Sequence, residues 1–145
     1  MKNDFIAKSE ISINAPVGTV WDAFTNPETI EKYMFGTKVI SDWQTGSKIT
    51  WQGEWKGKHY EDKGTILQII PNEILQYTHF SPSTGLPDIA ENYHTVTIRF
   101  STMGNQTLIL LTQNNNATDQ ARQHSENNWN MMLSGLKKML ELPRS

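Results

Sequence analysis

Apolar positions along this chain keep two different periods, and each change of period marks an element. In FIAKSEISIN, residues 5–14, Ile11 and Ile13 alternate with Glu10 and Ser12, which predicts a strand with one buried face. The spacing then lengthens: Val17, Val20, Trp21 and Phe24 fall at i, i+3, i+4 and i+7, and Pro16 suits the opening of a short helix. Asn26-Pro27 stops that helix, because the residue before proline is driven out of the α region, while Asn26 is free to cap a second helix. Ile30, Tyr33 and Met34 carry the stripe of that second short helix. Alternation returns in GSKITWQGEW, with Ile49, Trp51, Gly53 and Trp55 on one side and Lys48, Thr50, Gln52 and Glu54 on the other. Lys56-Gly57 reads as a hairpin turn into KHYEDKGTILQII, and Pro71-Asn72 as the turn into EILQYTHF. YHTVTIRFS and QTLILLTQN form a further pair around Met103-Gly104-Asn105. Thr118-Asp119 then opens a long helix that runs to Glu141, striped by Trp129, Met132, Leu133, Leu136 and Leu140.

Strand, two short helices, five strands and a long helix make an α+β pattern. Isolated helices under about twelve residues are marginal in water, so the two short ones must lie on a larger apolar surface. The arrangement expected is a curved antiparallel sheet wrapped around the C-terminal helix, with the short helices plugging its open end and a cavity left between sheet and helix. The whole chain, 1–145, is read as one domain of this kind. Two segments bear on function. SPSTGLPDIAEN, residues 81–92, is rich in Ser, Pro and Gly and long for a connection, as lids and binding loops are. Extending the last helix's stripe backward meets Ala121, His124 or Ser125, and Asn128, so the stripe turns polar where a cavity would lie.

Composition narrows the partners. A net charge of −2 with scattered Lys and Arg gives no footprint for nucleic acid. No apolar run approaches the roughly twenty residues of a membrane span, and MKNDFIAKSE has no signal-peptide core, so membrane insertion is not expected and cytoplasmic residence is. The chain has no Cys, which removes disulfides and thiolate chemistry. Neither a Gly-x-Ser-x-Gly elbow nor a phosphate-cradling Gly-rich loop is present, and the histidines lack metal-ligand spacing, so no metal, cofactor or catalytic set is assigned.

The remaining polar candidates are imidazoles. Leu75, Tyr77 and His79 share one strand face, and His94, Val96, Ile98 and Phe100 share another, so both histidines are expected to point inward, with His124 joining them from the last helix. Trp51, Trp55, Tyr77, Phe100 and Asn128 complete the candidate lining, Gly53 leaving room between the two indoles for a flat ligand. The mixed-sign run Glu54, Lys56, Lys58, Glu61, Asp62, Lys63 reads as a solvated hairpin edge.

Four stretches also carry a family resemblance. INAPVGTVWDAFTNPETIEKY, SDWQTGSKITW, GTILQIIPNEILQYTHF and NNWNMMLSGLKKML, in that order, resemble the SRPBCC or START-like (Bet v 1-like) superfamily, in its branch named after the activator of the Hsp 90 chaperone ATPase. The chain departs from that branch's pattern at Tyr33-Met34-Phe35, at His79 and at Asn128. The resemblance implies a helix-grip fold over an apolar pocket in a single-domain, bacterial-type member. It does not imply one activity, because fold and function separate in this superfamily. The reading favoured is binding of an apolar or aromatic small molecule in the cavity. A co-chaperone that activates an Hsp 90-type ATPase and a cyclase or dehydratase using a pocket histidine are the alternatives.

Overall fold

The computed structural model describes residues 5–141. Strand β1 (Phe5–Ile13) leads into helices α1 (Val17–Thr25) and α2 (Pro27–Tyr33), followed by β2 (Lys38–Ser41), β3 (Lys48–Trp55), β4 (Lys58–Ile70), β5 (Ile74–His79), β6 (His94–Met103), β7 (Gln106–Asn116) and helix α3 (Asp119–Glu141). The strands form one curved antiparallel sheet of seven, in the order β1-β7-β6-β5-β4-β3-β2. This is the helix-grip arrangement anticipated from the pattern, with one strand more than the alternation revealed. β2 is four residues long and buries only Val39, too brief for a period to register.

Local chemistry sets the breaks. The Asn26 side chain accepts the Glu28 amide at 3.0 Å and Pro27 opens α2, so one dipeptide ends the first helix and caps the second. The Tyr33 hydroxyl then donates to the Ala23 carbonyl at 2.8 Å and ties α2 back to α1. Lys56 and Gly57 both have positive φ, 52° and 80°, the conformation a tight hairpin turn needs. The Thr118 hydroxyl accepts the Ala121 amide at 3.0 Å at the start of α3.

Helix α3 lies along β1, the edge strand, rather than over the middle of the sheet. Its side chains take the edge's free backbone groups: Glu126 accepts the Lys8 amide at 3.1 Å, Glu141 accepts the Asn14 amide at 2.6 Å, and Lys137 donates to the Ser12 carbonyl at 2.6 Å. An exposed strand edge is a template for unwanted pairing, and these contacts close it. Beneath α3, Leu133 and Leu136 meet Ile13, Ile109 and Leu111, none more than 1% exposed. At the other end of the core, Trp21 and Phe24 pack edge-on against Phe100, with centroids 5.2 and 5.3 Å away.

Candidate functional site

Because α3 favours the β1 edge, the inner face of β3 to β6 is covered less completely, and the chain's inward aromatic and polar residues collect there. Trp51 on β3 is 6% exposed and Tyr77 on β5 is 7% exposed, their rings 5.1 Å apart. They form part of an apolar seam closed by Tyr33 at the end of α2, Met34 just after it, Trp43, and Trp129, Met132 and Leu133 from α3. The ligand-sized cavity anticipated from the pattern is not found between sheet and helix: the seam holds about 20 Å³ of free space, room for about one water, because side chains fill it. Met34, Trp43, Trp129 and Met132 fill the rest, and all four are only partly buried.

Two hydroxyls reach this region, and they differ. That of Tyr33 is satisfied by Ala23, whereas that of Tyr77 makes no hydrogen bond among the described residues. Burial raises both phenols well above the ordinary tyrosine range, so each is neutral at physiological pH. Tyr77 therefore presents a neutral O–H that no described residue accepts, on a side chain of the apolar seam.

A polar row crosses the sheet beside the seam. Trp51 pairs with Asp62 across β3 and β4, and His79 pairs with His94 across β5 and β6, which puts all of them on one face. Asp62 Oδ2 lies 2.9 Å from His79 Nε2. A carboxylate only accepts, so Nε2–H is the donor and Nδ1 is left as the open ring nitrogen of a neutral His79. Trp51 meets the His79 ring edge-on at 5.0 Å, and His94 stacks beside it at 6.5 Å. His94 Nδ1 lies 2.8 Å from the Asn114 carbonyl and must donate to it, which leaves Nε2 open. Burial first, and His79 as a lesser neighbour, hold the His94 pKa below its ordinary value in spite of the Asn114 bond. The second carboxylate oxygen of Asp62, Oδ1, is buried and has no hydrogen-bond partner among the described residues.

The anticipated residues divide accordingly. Trp51, Tyr77, His79 and His94 are brought together. Phe100 is buried against Trp21 and Phe24 and does not line the seam. Trp55 ends β3, and its side chain lies outside the described residues. His124 and Asn128 are exposed on α3, away from the seam. The reason is helical drift: each four-residue step overshoots a turn by about 40°, so counting back by fours from Leu136 carries Asn128 and His124 off the buried face. The face actually continues through Trp129, which donates to Gln113 at 2.7 Å, and Ser125, which donates to Asn116 at 3.1 Å.

Asp62 was hidden by its company. It belongs to the mixed-charge run, yet it has the parity of Gly64 and Ile66, which are buried, and that parity is the signal that turns it inward. The segment after β5, proposed as a gate, is pinned in this form. Asp88 forms an ion pair with Lys63 and accepts the Tyr93 hydroxyl at 2.6 Å, while Tyr93 stacks on Phe80 at 5.0 Å. Among the described residues no group of three or more His, Asp or Glu is placed to hold a metal, and no helix is long and apolar enough to cross a membrane.

Solved structures with this architecture are numerous. The chain is 57% identical to ChR145 from Cytophaga hutchinsonii, known in solution, with a TM-score of 0.86 and 97% of each chain covered. It is 21% identical to a protein from Colwellia psychrerythraea described as an Aha1 dimer, TM-score 0.73, over 97% of this chain and 98% of that one. CalU16 from Micromonospora echinospora is likewise 21% identical, TM-score 0.72, over 97% and 87%. At that identity the likeness speaks for the fold alone. No curated protein matches the chain. The family model described as "Activator of Hsp90 ATPase homolog 1-like protein" matches residues 14–141, and the chain belongs to that family.

Proposed function

We propose that this protein binds a small aromatic or otherwise apolar molecule in the seam between the inner face of β3 to β6 and helices α2 and α3. The observation that carries this reading is Tyr77, which lines the seam with Trp51, Ile98, Trp129 and Leu133 and whose hydroxyl makes no hydrogen bond among the described residues. The hydroxyl is not a sealed atom, so water reaches it, and a neutral hydrogen bond to a ligand in its place nets about 0.5–1.5 kcal/mol. A ligand atom that accepts from Tyr77 replaces that water while the seam removes the ligand's apolar surface from solvent. Since the free space is about 20 Å³, binding requires Met34 and Met132 to swing aside. Unbranched thioethers suit that role, because their rotamers interchange at little cost.

The reading is tested with 4-nitroanisole, an aromatic ether that accepts hydrogen bonds and donates none. Saturable shifts of the Met34 and Met132 methyl resonances are expected, weakened several-fold in Tyr77→Phe. No saturable change up to the solubility limit would reject it. Family membership supports a second reading, activation of an Hsp90-type ATPase through surface contacts. Stimulated turnover of such a chaperone on adding this protein supports that reading, and unchanged turnover rejects it.

A further inference from the structure

The Asp62–His79–His94 row is more than a polar border to the seam. With Asp62 accepting from His79 Nε2 and Asn114 accepting from His94 Nδ1, the unpaired ring atoms of the row are two lone-pair nitrogens, His79 Nδ1 and His94 Nε2. Neither is a sealed atom, since Asp62 Oδ1 is the buried side-chain polar atom left without a partner among the described residues. A surface that offers lone pairs, with a carboxylate behind it, repels a carboxylate or phosphate ligand and attracts an O–H. Trp51 touches both His79 and Tyr77, so a ring that enters the seam beside it carries its substituent toward the imidazole.

Resting on the binding reading above, we propose that the ligand is an aromatic or enolic compound with an acidic hydroxyl, and that His79, held by Asp62, is its proton acceptor. The ligand O–H bond breaks, the proton moves to His79 Nδ1, and the electron pair stays on oxygen. The products are an oxyanion and an imidazolium whose charge Asp62 offsets. The titratable groups against His79 are Asp62 from β4 and His94 from β6. Tyr77 on the same strand stays neutral, Lys63 is engaged with Asp88, and α3 presents His124 to solvent.

The test is the protonation state of bound 4-nitrophenol, whose anion is yellow. Burial in an apolar seam alone suppresses the anion, whereas a cation formed beside it favours the anion. At saturating 4-nitrophenol and a fixed pH below the probe's own pKa, the protein is expected to raise the anion fraction about tenfold, the lower end of an opposite-charge effect. His79→Gln should abolish the gain, and Asp62→Asn should remove most of it. The pH profile of the gain should shift in Asp62→Asn, which a merely structural role for the carboxylate would not produce. The methyl ether separates the two readings. If 4-nitroanisole binds but bound 4-nitrophenol shows no gain, or the gain survives His79→Gln, this inference is overturned and the binding reading stands. If neither compound binds, both fall.

Discussion

The two halves of the sheet's inner face are built on different terms. Under α3, Ile13, Ile109, Leu111, Leu133 and Leu136 are sealed apolar side chains, and the buried Ser9 beside them is paired with Asn130. Across β3 to β6 the chain places aromatic rings, two imidazoles and a carboxylate. Among the described residues it leaves the buried Asp62 Oδ1 and the Tyr77 hydroxyl without protein partners there. Stability depends on such groups less than on packing, since replacing both partners of a hydrogen bond by apolar groups of the same shape can be nearly neutral. The difference marks the face on which the chain keeps polar groups that packing does not use.

The comparison breaks most directly by truncating one residue from each half. Leu136→Ala, which empties a fully buried site, is expected to cost about 2–5 kcal/mol in denaturant unfolding. Tyr77→Phe removes only the unpaired hydroxyl and should be neutral or slightly stabilising, within about 1 kcal/mol. A loss from Tyr77→Phe approaching that of Leu136→Ala would mean that the hydroxyl has a structural partner and that the two halves are alike.

Next in size is Gly64→Ala. A Cβ at that position would lie 1.7 Å from the Thr78 carbonyl oxygen, and backbone cannot step aside as a side chain can. Overpacking of this kind costs about 1–3 kcal/mol, occasionally more. Because Gly64 stands two residues from Asp62, and Thr78 next to His79, the strain falls on the Asp62–His79 contact. The His79 ring proton resonances should move with it.

Legibility in the sequence divides along the same line. Alternation and helical spacing locate β1, α1, α2, β3 and α3, because each buries a repeated apolar face that leaves a period behind. β2 escapes because four residues with one buried Val do not make a period. Trp51, Tyr77, His79 and His94 are placed on the inward face by strand parity, which holds wherever the register is unbroken. His124 and Asn128 are misplaced because helical phase accumulates error that strand parity does not. Asp62 is masked by its charged neighbours, although its alternation with Gly64 and Ile66 is the better guide. The tightness of the seam is not legible, since free volume depends on the rotamers that Met34, Trp43 and Met132 adopt together.

A third expectation uses pH. Burial depresses the His94 pKa in the folded protein, so the unfolded chain takes up that proton first as pH falls. Stability from His94 is therefore fully present above its unfolded value of about 6.5, and is lost as pH drops through the lower folded value. Unfolding midpoints measured across this window should decline on the acid side, and His94→Gln should flatten that decline. An unchanged slope would show that the half-covered face does not desolvate His94.

The smallest effect tests whether the loop outside the row is part of the same design. Lys63 and Asp88 are each well exposed, and exposed ion pairs contribute little to stability. Hydrogen bonding to Lys63, then to Tyr93, nevertheless holds the Asp88 carboxyl below its ordinary range, so the contact persists at neutral pH. Asp88→Asn should leave the unfolding midpoint almost unchanged while amide exchange across residues 81–93 quickens, because Lys63 and the Tyr93 hydroxyl lose their anchor. Association of 4-nitroanisole with the seam discriminates between two roles for that loop. Faster association in Asp88→Asn makes the loop a gate over the less covered half, and an unchanged rate makes it a decoration of the outer edge.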